Sequence, residues 1–183
     1  MLAVMFGGLR QGGDPFVIGE LIAGGSGAGL NSDGVDVIET DVSNCMNLPA
    51  EAMEMEAPIR VHRIALRPDS GGAGKQRGGL GIVKEYEVLE GEVRFTHRGE
   101  RHMCAAAGSN GGEPGAMAIS EIFRTNGHKE EIPSKMMAVL QKGDRVVVTT
   151  AGGGGNGQPE RRDQALAEAD LKNEKISRPF ART

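Results

Sequence analysis

The sequence predicts an α+β fold that is rich in β-strands and glycine-rich loops and has two short helices. Glycine is unusually frequent, with 29 of 183 residues, which indicates many special turns or close backbone contacts. Most apolar residues lie in short segments with the two-residue alternation of strands. Helical signals are confined to residues 47–57 and 159–171. The alternation of strands and helices that marks a doubly wound sheet is missing.

The first thirty residues combine an apolar start with a turn, a strand and a loop. A turn is predicted at residues 11–15 and a strand at residues 16–23. The glycines of residues 24–29 are separated by small residues, which indicates a tight loop and not a linker. A second turn is predicted at residues 31–34.

The first predicted helix covers residues 47–57. Asn47 could cap it, Pro49 suits its first turn, and Glu51 would lie near the positive end of the helix dipole. Pro58 limits how far the helix can extend.

The segment that follows this helix has the pattern of a strand with an irregularity. Ile59 and Val61 alternate, and then the apolar phase shifts to Ile64 and Leu66. A β-bulge near Arg63 would explain that shift.

Four further strands are predicted downstream. Residues 82–90 and 93–98 form a predicted hairpin that turns at Gly91. Residues 117–124 and 145–150 are the other two strands, with turns at 126–127 and 143–144.

The second helix, at residues 159–171, has Pro159 and Glu160 in its first turn. We expect residues 1–172 to form a single unit and residues 173–183 to form a polar tail that frays.

Two glycine clusters resemble nucleotide-binding loops without meeting their requirements. Residues 69–81 read DSGGAGKQRGGLG, but a P-loop needs glycine in place of Asp69 and serine or threonine in place of Gln76. Residues 152–157 read GGGGNG, which fits a dinucleotide pattern that any glycine run contains. The acidic residue and second strand of a dinucleotide unit do not follow. These glycines therefore indicate either tight backbone packing or a loop wall against which a substrate or partner rests.

Charge and composition exclude several classes of function. The net charge is −4 without a basic cluster, which argues against nucleic-acid binding. No apolar stretch has the length of a membrane span or of a signal peptide. Cys45 and Cys104 are far apart and form no motif, which favours a reducing compartment and a cytoplasmic protein. The four histidines lack the spacing of metal ligands, so no metal site is predicted on this chain.

The order of these unusual segments resembles the C-terminal portion of B-type subunits in the hydantoinase B / 5-oxoprolinase family. Residues 16–39 resemble its glycine-rich segment that ends in D-G-x-D. Residues 40–58, from Thr40 through Asn44 to Pro58, resemble its T-x-x-x-N…P-x-E-x-x-E…P element. Three later segments, residues 69–81, 111–115 and 132–157, are similar to its D-S-G-G-A-G-x-x-R-G-G-x-G, G-G-x-P-G and P-S-K…G-D…G-G-G-G-x-G elements.

The resemblance implies a subunit of an ATP-dependent hydrolase of cyclic amides or lactams that is inactive alone. An ATP-dependent ketone carboxylase, of the acetone or acetophenone type, is the alternative within the same family. A non-catalytic scaffold subunit is the alternative from another class. The family's subunit is much longer, so we expect its N-terminal part on another polypeptide, beside an A-type subunit that binds ATP. The resemblance places ATP, magnesium and a divalent metal, zinc or manganese, on those partner chains.

Seven residues within the family-like elements are candidates to line a substrate channel or bind an intermediate. Arg77 could clamp an anionic intermediate, and Asn44 and Glu51 are polar groups of a family-like element. The remaining four candidates are glycines, namely Gly78, Gly79, Gly153 and Gly154. For each of the seven, structural bracing is the alternative.

Overall fold

The computed structural model describes residues 2–39 and 44–177. Within them, nine strands and two α-helices follow one another along the chain. The strands are β1 (Leu2–Leu9), β2 (Pro15–Ile22), β3 (Ile59–Leu66), β4 (Ile82–Val88), β5 (Glu92–Gly99), β6 (Ile119–Phe123), β7 (Lys129–Glu131), β8 (Lys135–Gln141) and β9 (Arg145–Thr149). The helices are α1 (Ala50–Glu56) and α2 (Gln164–Lys172), and a 3-10 helix covers Pro159–Arg161. None of these helices is long and apolar enough to cross a membrane.

The strands form two antiparallel sheets. The first sheet has the order β2-β1-β5-β8, and the second has the order β3-β4-β9-β6-β7. With two short helices beside them, the sheets confirm the predicted α+β, β-rich class.

The core lies between the two sheets, because alternate side chains of each sheet point into it. Phe6 of β1 lies 5.3 Å from Tyr86 of β4 and 5.1 Å from Phe95 of β5, measured between ring centroids. All three rings are buried, and burial of such a side chain contributes about 1.5–3 kcal/mol. The aromatic cluster therefore joins the sheets at their centre.

The predicted hairpin between residues 82–90 and 93–98 is wrong. β4 pairs with β3 and β9, whereas β5 pairs with β1 and β8. Gly91, with a positive φ of 64°, lies in the turn where the chain leaves one sheet for the other. Both strands bury alternate residues in the same core, so their sequence pattern is the same whether or not they pair with each other.

Both predicted helices are present, but the first begins later than expected and the second is interrupted. α1 starts at Ala50 with Pro49 at its N-cap and no side-chain cap, so Asn47 does not cap it. The second helix is interrupted after Arg161 and restarts at Gln164, where the carboxylate of Asp163 accepts hydrogen bonds from two backbone amides. An aspartate in the N-cap position stabilises a new helix start, and this explains the break.

The chain after α2 turns back to the body. The amide of Asp69 donates to the Lys175 carbonyl, the amide of Ser177 donates to the Asp69 carboxylate at 2.6 Å, and Ile176 is buried. The predicted polar tail therefore begins with residues that contact the body, and its residues 178–183 lie outside the described part.

The sequence predicts the irregularity in β3 but misses three of the strands. The register shift between Val61 and Arg63 confirms the predicted bulge. The sequence analysis predicts an apolar start, but no strand, where β1 lies. It does not predict β7 or β8.

Candidate functional site

Four glycine-rich segments, residues 24–29, 70–81, 106–116 and 151–157, lie side by side without regular secondary structure. Their backbones are hydrogen-bonded to one another. Representative bonds run from Gly25 N to Ala151 O at 3.0 Å, from Gly79 N to Ser26 O at 2.8 Å, from Gly153 N to Gly79 O at 2.9 Å and from Gly155 N to Glu113 O at 2.9 Å. We call these four segments the glycine layers.

The four candidate glycines lie inside these layers, where no side chain fits. A Cβ atom on Gly78 would lie 1.9 Å from the Gly153 carbonyl oxygen, and one on Gly153 would lie 1.8 Å from the Ser26 oxygen. For Gly79 and Gly154 the corresponding distances to backbone oxygens are 2.1 and 2.0 Å. Close packing of backbone against backbone is therefore what requires glycine at these positions.

A recess of about 390 Å³ opens at one side of the glycine layers. Backbone of residues 24–27 and 151–153 forms one wall, and the apolar side chains of Leu2 and Ile22 form part of another. The lining also includes three charged residues, namely Glu39, Glu100 and Arg101. The volume is at the lower end of the range for small-molecule sites. The mixture of peptide groups, two carboxylates and one guanidinium suits a small polar molecule.

A second recess of about 390 Å³ adjoins the first, since both are lined by Ile38 and Glu39. Asn44 lines this second recess and has a positive φ of 48°. Thr40, the first residue of the family-like element, lies outside the described residues. Of the seven candidates, Gly153 thus lines the first recess and Asn44 the second. Glu51 lines neither and is exposed on α1.

Arg77 is buried and belongs to a partly buried network of three carboxylates and three cations, and it lines neither recess. Its Nε donates to Asp170 at 3.1 Å, and its Nη1 donates to Asp36 at 3.2 Å. Arg162 pairs with Asp170 and with Asp33, and Lys175 pairs with Asp36. This position fits the bracing interpretation of Arg77, because its guanidinium is occupied by neighbouring carboxylates.

The network lowers the pKa values of Asp33 and Asp36. Burial by itself raises the pKa of Asp33, but hydrogen bonds from Arg162 and from the Arg77 amide bring it below its ordinary value. Burial likewise raises the pKa of Asp36, and hydrogen bonds from Lys175 and the Leu80 amide more than offset it. The pKa of Arg162 is raised, chiefly by its hydrogen bond to Asp33. The charges therefore hold residues 33–36, 77 and 162–175 together at neutral pH.

Two histidines converge on one serine hydroxyl between the sheets. His97 Nε2 of β5 lies 2.9 Å from Ser120 Oγ of β6, and His102 Nε2 lies 3.3 Å from the same oxygen. Gly99 leaves room for both rings, since a Cβ there would lie 2.5 Å from His102 Cε1. The hydroxyl has one proton, so when it donates to one imidazole the other must donate to it. The tautomers of the two histidines are therefore coupled.

This histidine pair was not predicted as a site, and its burial decides what it can do. His97 and Ser120 are fully buried and line neither recess. Burial, together with the charge of His102, lowers the pKa of His97 to about 4. A neutral, enclosed imidazole beside an enclosed hydroxyl ties the two sheets together. The spacing of two histidines around a glycine was the only signal in the sequence.

A second polar cluster joins the sheets in the same row as the histidines, with Val4 and Val148 between the two clusters. The buried ammonium of Lys84 pairs with Glu20, and the Tyr86 hydroxyl donates to the same carboxylate at 2.8 Å. The Leu48 amide donates to it at 3.1 Å. Burial and the charge of Glu20 raise the pKa of Tyr86 well above its ordinary value. Glu20 and Lys84 are in phase with the buried apolar residues of β2 and β4, and this alternation was the signal in the sequence that they face inward.

The described residues do not form a metal centre by themselves. No three histidine, cysteine, aspartate or glutamate side chains in residues 2–39 and 44–177 are grouped so that they could hold a metal ion. Residues 2–39 and 44–177 therefore do not by themselves supply three such ligands for the divalent metal that the family resemblance implies.

Comparison with known proteins identifies relatives across most of the chain. The family model described as hydantoinase B/oxoprolinase matches residues 1–159. An uncharacterised protein of Methanocaldococcus jannaschii is 39% identical over 91% of this chain, which spans 29% of that protein. A 5-oxoprolinase of Dictyostelium discoideum is 33% identical over 77% of this chain and 11% of its own length. The caprolactamase beta subunit of Pseudomonas jessenii is 32% identical over 72% of this chain and 23% of its own length.

Two solved structures share the fold. The ATP-dependent caprolactamase from Pseudomonas jessenii has a TM-score of 0.80 and 27% identity, covering 98% of this chain and 33% of that one. An acetone carboxylase has a TM-score of 0.85 over 99% of this chain and 29% of that one; its 19% identity shows the fold alone. The chain thus spans a third or less of the relatives and structures that it matches.

Proposed function

Because the chain belongs to the hydantoinase B/oxoprolinase family, we propose that it forms the C-terminal part of a B-type subunit in an ATP-dependent hydrolase of cyclic amides or lactams. The observation that carries this proposal is the combined sequence and fold similarity to one lactam-hydrolysing enzyme. The caprolactamase of Pseudomonas jessenii is similar to this chain in the sequence of its beta subunit and in structure, with a TM-score of 0.80.

The chemistry proposed for the whole enzyme explains why ATP is required. An unstrained amide resists attack by water, and transfer of a phosphoryl group to its oxygen makes the carbonyl carbon a better electrophile. In such a reaction a divalent metal supplies an activated water. The part of the chain that the structure describes has no group of three potential ligands for that metal, and this supports its assignment to a partner chain in this proposal.

We assign ATP, its magnesium and the divalent zinc or manganese to partner chains. The glycine run at residues 152–157 supports this assignment, because its amides are already used inside the protein. Gly152 donates to the Ala116 carbonyl, Gly153 to the Gly79 carbonyl and Gly155 to the Glu113 carbonyl. A phosphate-binding loop needs such amides to point at the ligand.

The contribution proposed for this chain is a rigid wall for the substrate channel. The recess beside Gly153 is small, and one of its walls consists of peptide groups, which the glycine layers hold in place. Glu39 belongs to both recesses and is the residue through which Asn44 would influence the first one. Within this proposal Arg77 braces the layers and does not touch substrate.

The proposed partners are a polypeptide with the N-terminal part of the B-type subunit and an A-type subunit that binds ATP. Two relatives are named as subunits, namely the beta subunit of the caprolactamase and the B-type subunit of a putative D-/L-hydantoinase from a Pseudomonas species. We therefore propose that this chain has no activity alone. We also propose a cytoplasmic location, on the basis of the two cysteines that form no motif.

Among the relatives, the names favour the hydrolase over the carboxylase. Five relatives named 5-oxoprolinase, caprolactamase or hydantoinase are 29–33% identical to this chain, whereas the acetone carboxylase is similar in fold alone. If neither recess contributes to the reaction, the proposal of a scaffold subunit would replace both the hydrolase and the carboxylase proposals.

The proposal is tested on the complex purified from its native host. ATP hydrolysis is measured with hydantoin, 5-oxoproline and caprolactam, and then with acetone or acetophenone plus bicarbonate. We expect stimulation by one of the cyclic amides. Stimulation only by a ketone with bicarbonate would make the complex a carboxylase, and lactam hydrolysis by the isolated chain would contradict the dependence on partners.

Variants of the assembled complex distinguish a scaffold subunit from a subunit that lines the substrate channel. We expect Asn44→Ala to alter turnover or KM, because Asn44 lines a recess, and Glu51→Ala to leave both unchanged, because Glu51 is exposed on α1. If substitutions at Asn44 and Glu39 leave turnover and KM intact, the chain acts as a scaffold.

A further inference from the structure

The outer faces of the two sheets differ in how their charges are balanced. On the five-stranded sheet, charged side chains of neighbouring strands pair with each other. Arg145 contacts Glu85 at 3.0 Å, Lys129 contacts Glu121 at 2.6 Å and His62 contacts Glu87 at 2.5 Å. Such a face carries its own counter-charges and is suited to water.

The outer face of the four-stranded sheet is apolar at its centre. Met5 of β1 pairs with Thr96 of β5, which pairs with Met137 of β8, so the two methionines flank Thr96 in one row. In the next row Gly7 lies between Val17 of β2 and Arg94 of β5. Met5, Val17 and Met137 are 48%, 74% and 76% exposed. Contiguous exposed side chains of this kind usually mark an interaction site.

The same face carries three cations, and its strand carboxylate, Glu92, lies in the row at one end, where it accepts a hydrogen bond from Gln141. Arg94, Arg98 and Lys135 are exposed, and Arg98 is paired directly with Lys135 across β5 and β8. None of the ion pairs found in the described residues uses any of these three. Like charges opposite each other destabilise a sheet. An external carboxylate would remove that repulsion.

The size of this face suits a protein interface. Four strands about 4.8 Å apart and about eight residues long at about 3.4 Å per residue give roughly 500 Å² of sheet surface. A specific interface buries about 800 Å² on each partner, so the sheet would supply more than half of one. The relatives have ample further chain to cover it, since this chain spans 29% or less of the curated relatives described above.

We propose that the outer face of the four-stranded sheet docks the polypeptide that carries the remainder of the B-type subunit. That polypeptide would present an apolar patch with carboxylates placed opposite Arg94, Arg98 and Lys135. The inference rests on the proposed function for the identity of the occupant. A second copy of this chain fits less well, because a symmetric contact would bring the same cations together. A lipid surface also fits less well, because none of the outward side chains of the four strands is aromatic, and membrane-surface sites use Trp and Tyr as anchors.

The test uses the full chain with an affinity tag, produced in its native host. The Met5→Glu/Met137→Glu variant places charge at the centre of the face. The matched control, Met55→Glu/Met103→Glu, changes two methionines that are 77% and 91% exposed elsewhere. Co-purifying polypeptides are identified by mass spectrometry and quantified, and thermal unfolding of each variant verifies that it is folded.

We expect the wild type and the control to retain a polypeptide that matches the family outside the region aligned with this chain. Its recovery should fall at least tenfold with Met5→Glu/Met137→Glu. Arg94→Glu/Arg98→Glu, which changes charge and leaves both methionines, should lower recovery as well.

Three results would overturn the inference. They are equal recovery with the face variants, no such polypeptide with the wild type, or a stable dimer of the purified chain by sedimentation. Flotation of the wild type, but not of Met5→Glu/Met137→Glu, with phosphatidylcholine/phosphatidylserine vesicles would assign the face to a membrane instead. If the complex forms through this face but no cyclic amide stimulates its ATP hydrolysis, the docking inference stands and the proposed function fails.

Discussion

The guanidinium of Arg77 and the carboxylate of Asp170 join two segments that are 93 residues apart, through a buried hydrogen bond of 3.1 Å from Nε to Oδ2. Asp170 belongs to α2, and Arg77 belongs to the glycine layers. The pair therefore fastens the last helix to the glycine layers, of which two other segments, residues 24–27 and 151–153, form a wall of the first recess.

Loss of Arg77 should destabilise the fold strongly. Arg77→Ala leaves the carboxylates of Asp36 and Asp170 without one of their partners, and breaking a buried pair in this way costs about 3–5 kcal/mol. Urea unfolding measures the loss. Arg145→Ala is the matched control, because its pair with Glu85 is exposed and worth about 1 kcal/mol or less. A variant Arg77→Ala that keeps its stability but loses turnover would favour the intermediate-clamp interpretation.

Substitution within the glycine layers should show which glycines are needed for packing. In Gly78→Ala the new Cβ meets a backbone oxygen at 1.9 Å, so we expect a loss of more than about 3 kcal/mol or no folded protein. Gly27→Ala is the control, because the nearest atom to its new Cβ, the Gly154 carbonyl oxygen, would be 4.0 Å away. Gly27 also lines the first recess. Its stability should stay within about 1 kcal/mol of the wild type. Equal melting temperatures for the two variants would contradict the close packing.

Acid should destabilise the fold through His97. Its pKa is about 4 in the folded chain and 6.5 ordinarily, so the folded state binds the proton less well than the unfolded state. The stability that this neutral histidine contributes is complete above pH 6.5 and is lost as the pH falls towards 4, by up to about 3 kcal/mol.

The measurement is urea unfolding at pH 7 and pH 5. We expect His97→Gln to reduce the difference between the two pH values, since glutamine does not titrate. His128→Gln, at an exposed turn position, should retain the full difference. If all three proteins lose the same stability, His97 is not the group responsible. The carboxylates of Asp33 and Asp36 act in a lower window, because their pKa values lie below the ordinary 3.8.

The buried pair between Lys84 and Glu20 should show strong coupling. Lys84→Met leaves the Glu20 carboxylate buried without its counter-charge, which costs about 3–5 kcal/mol. Adding Glu20→Gln removes that charge and keeps a hydrogen-bond acceptor for Tyr86, so the double variant should regain part of the loss. A double-mutant cycle by urea unfolding measures the coupling. Additive losses would show that the two side chains act independently.

The sequence determined the local features of this protein. The two-residue alternation predicted strands at β2, β3, β4, β5, β6 and β9, and the phase shift around Arg63 predicted the bulge. Asp69 and Gln76 occupy positions where a P-loop requires glycine and serine or threonine, and this excluded a P-loop. The order of the motifs indicated the family whose model matches residues 1–159. Each of these depends on residues that are near each other along the chain or on their order.

Only the tertiary structure decided which distant segments meet. Residues 82–98 have the same alternation in a hairpin as in two strands of different sheets, and the crossing at Gly91 depends on partners that lie far away in sequence. The convergence of His97 and His102 on Ser120, and of Lys84 on Glu20, likewise arises where two sheets face each other. The role of the glycines was decided in the same way. Their sequence pattern is compatible with phosphate binding or with close packing. In the structure, a Cβ on glycines such as Gly78 and Gly153 would lie about 2 Å from a backbone oxygen of another segment, and this shows that these glycines serve close packing.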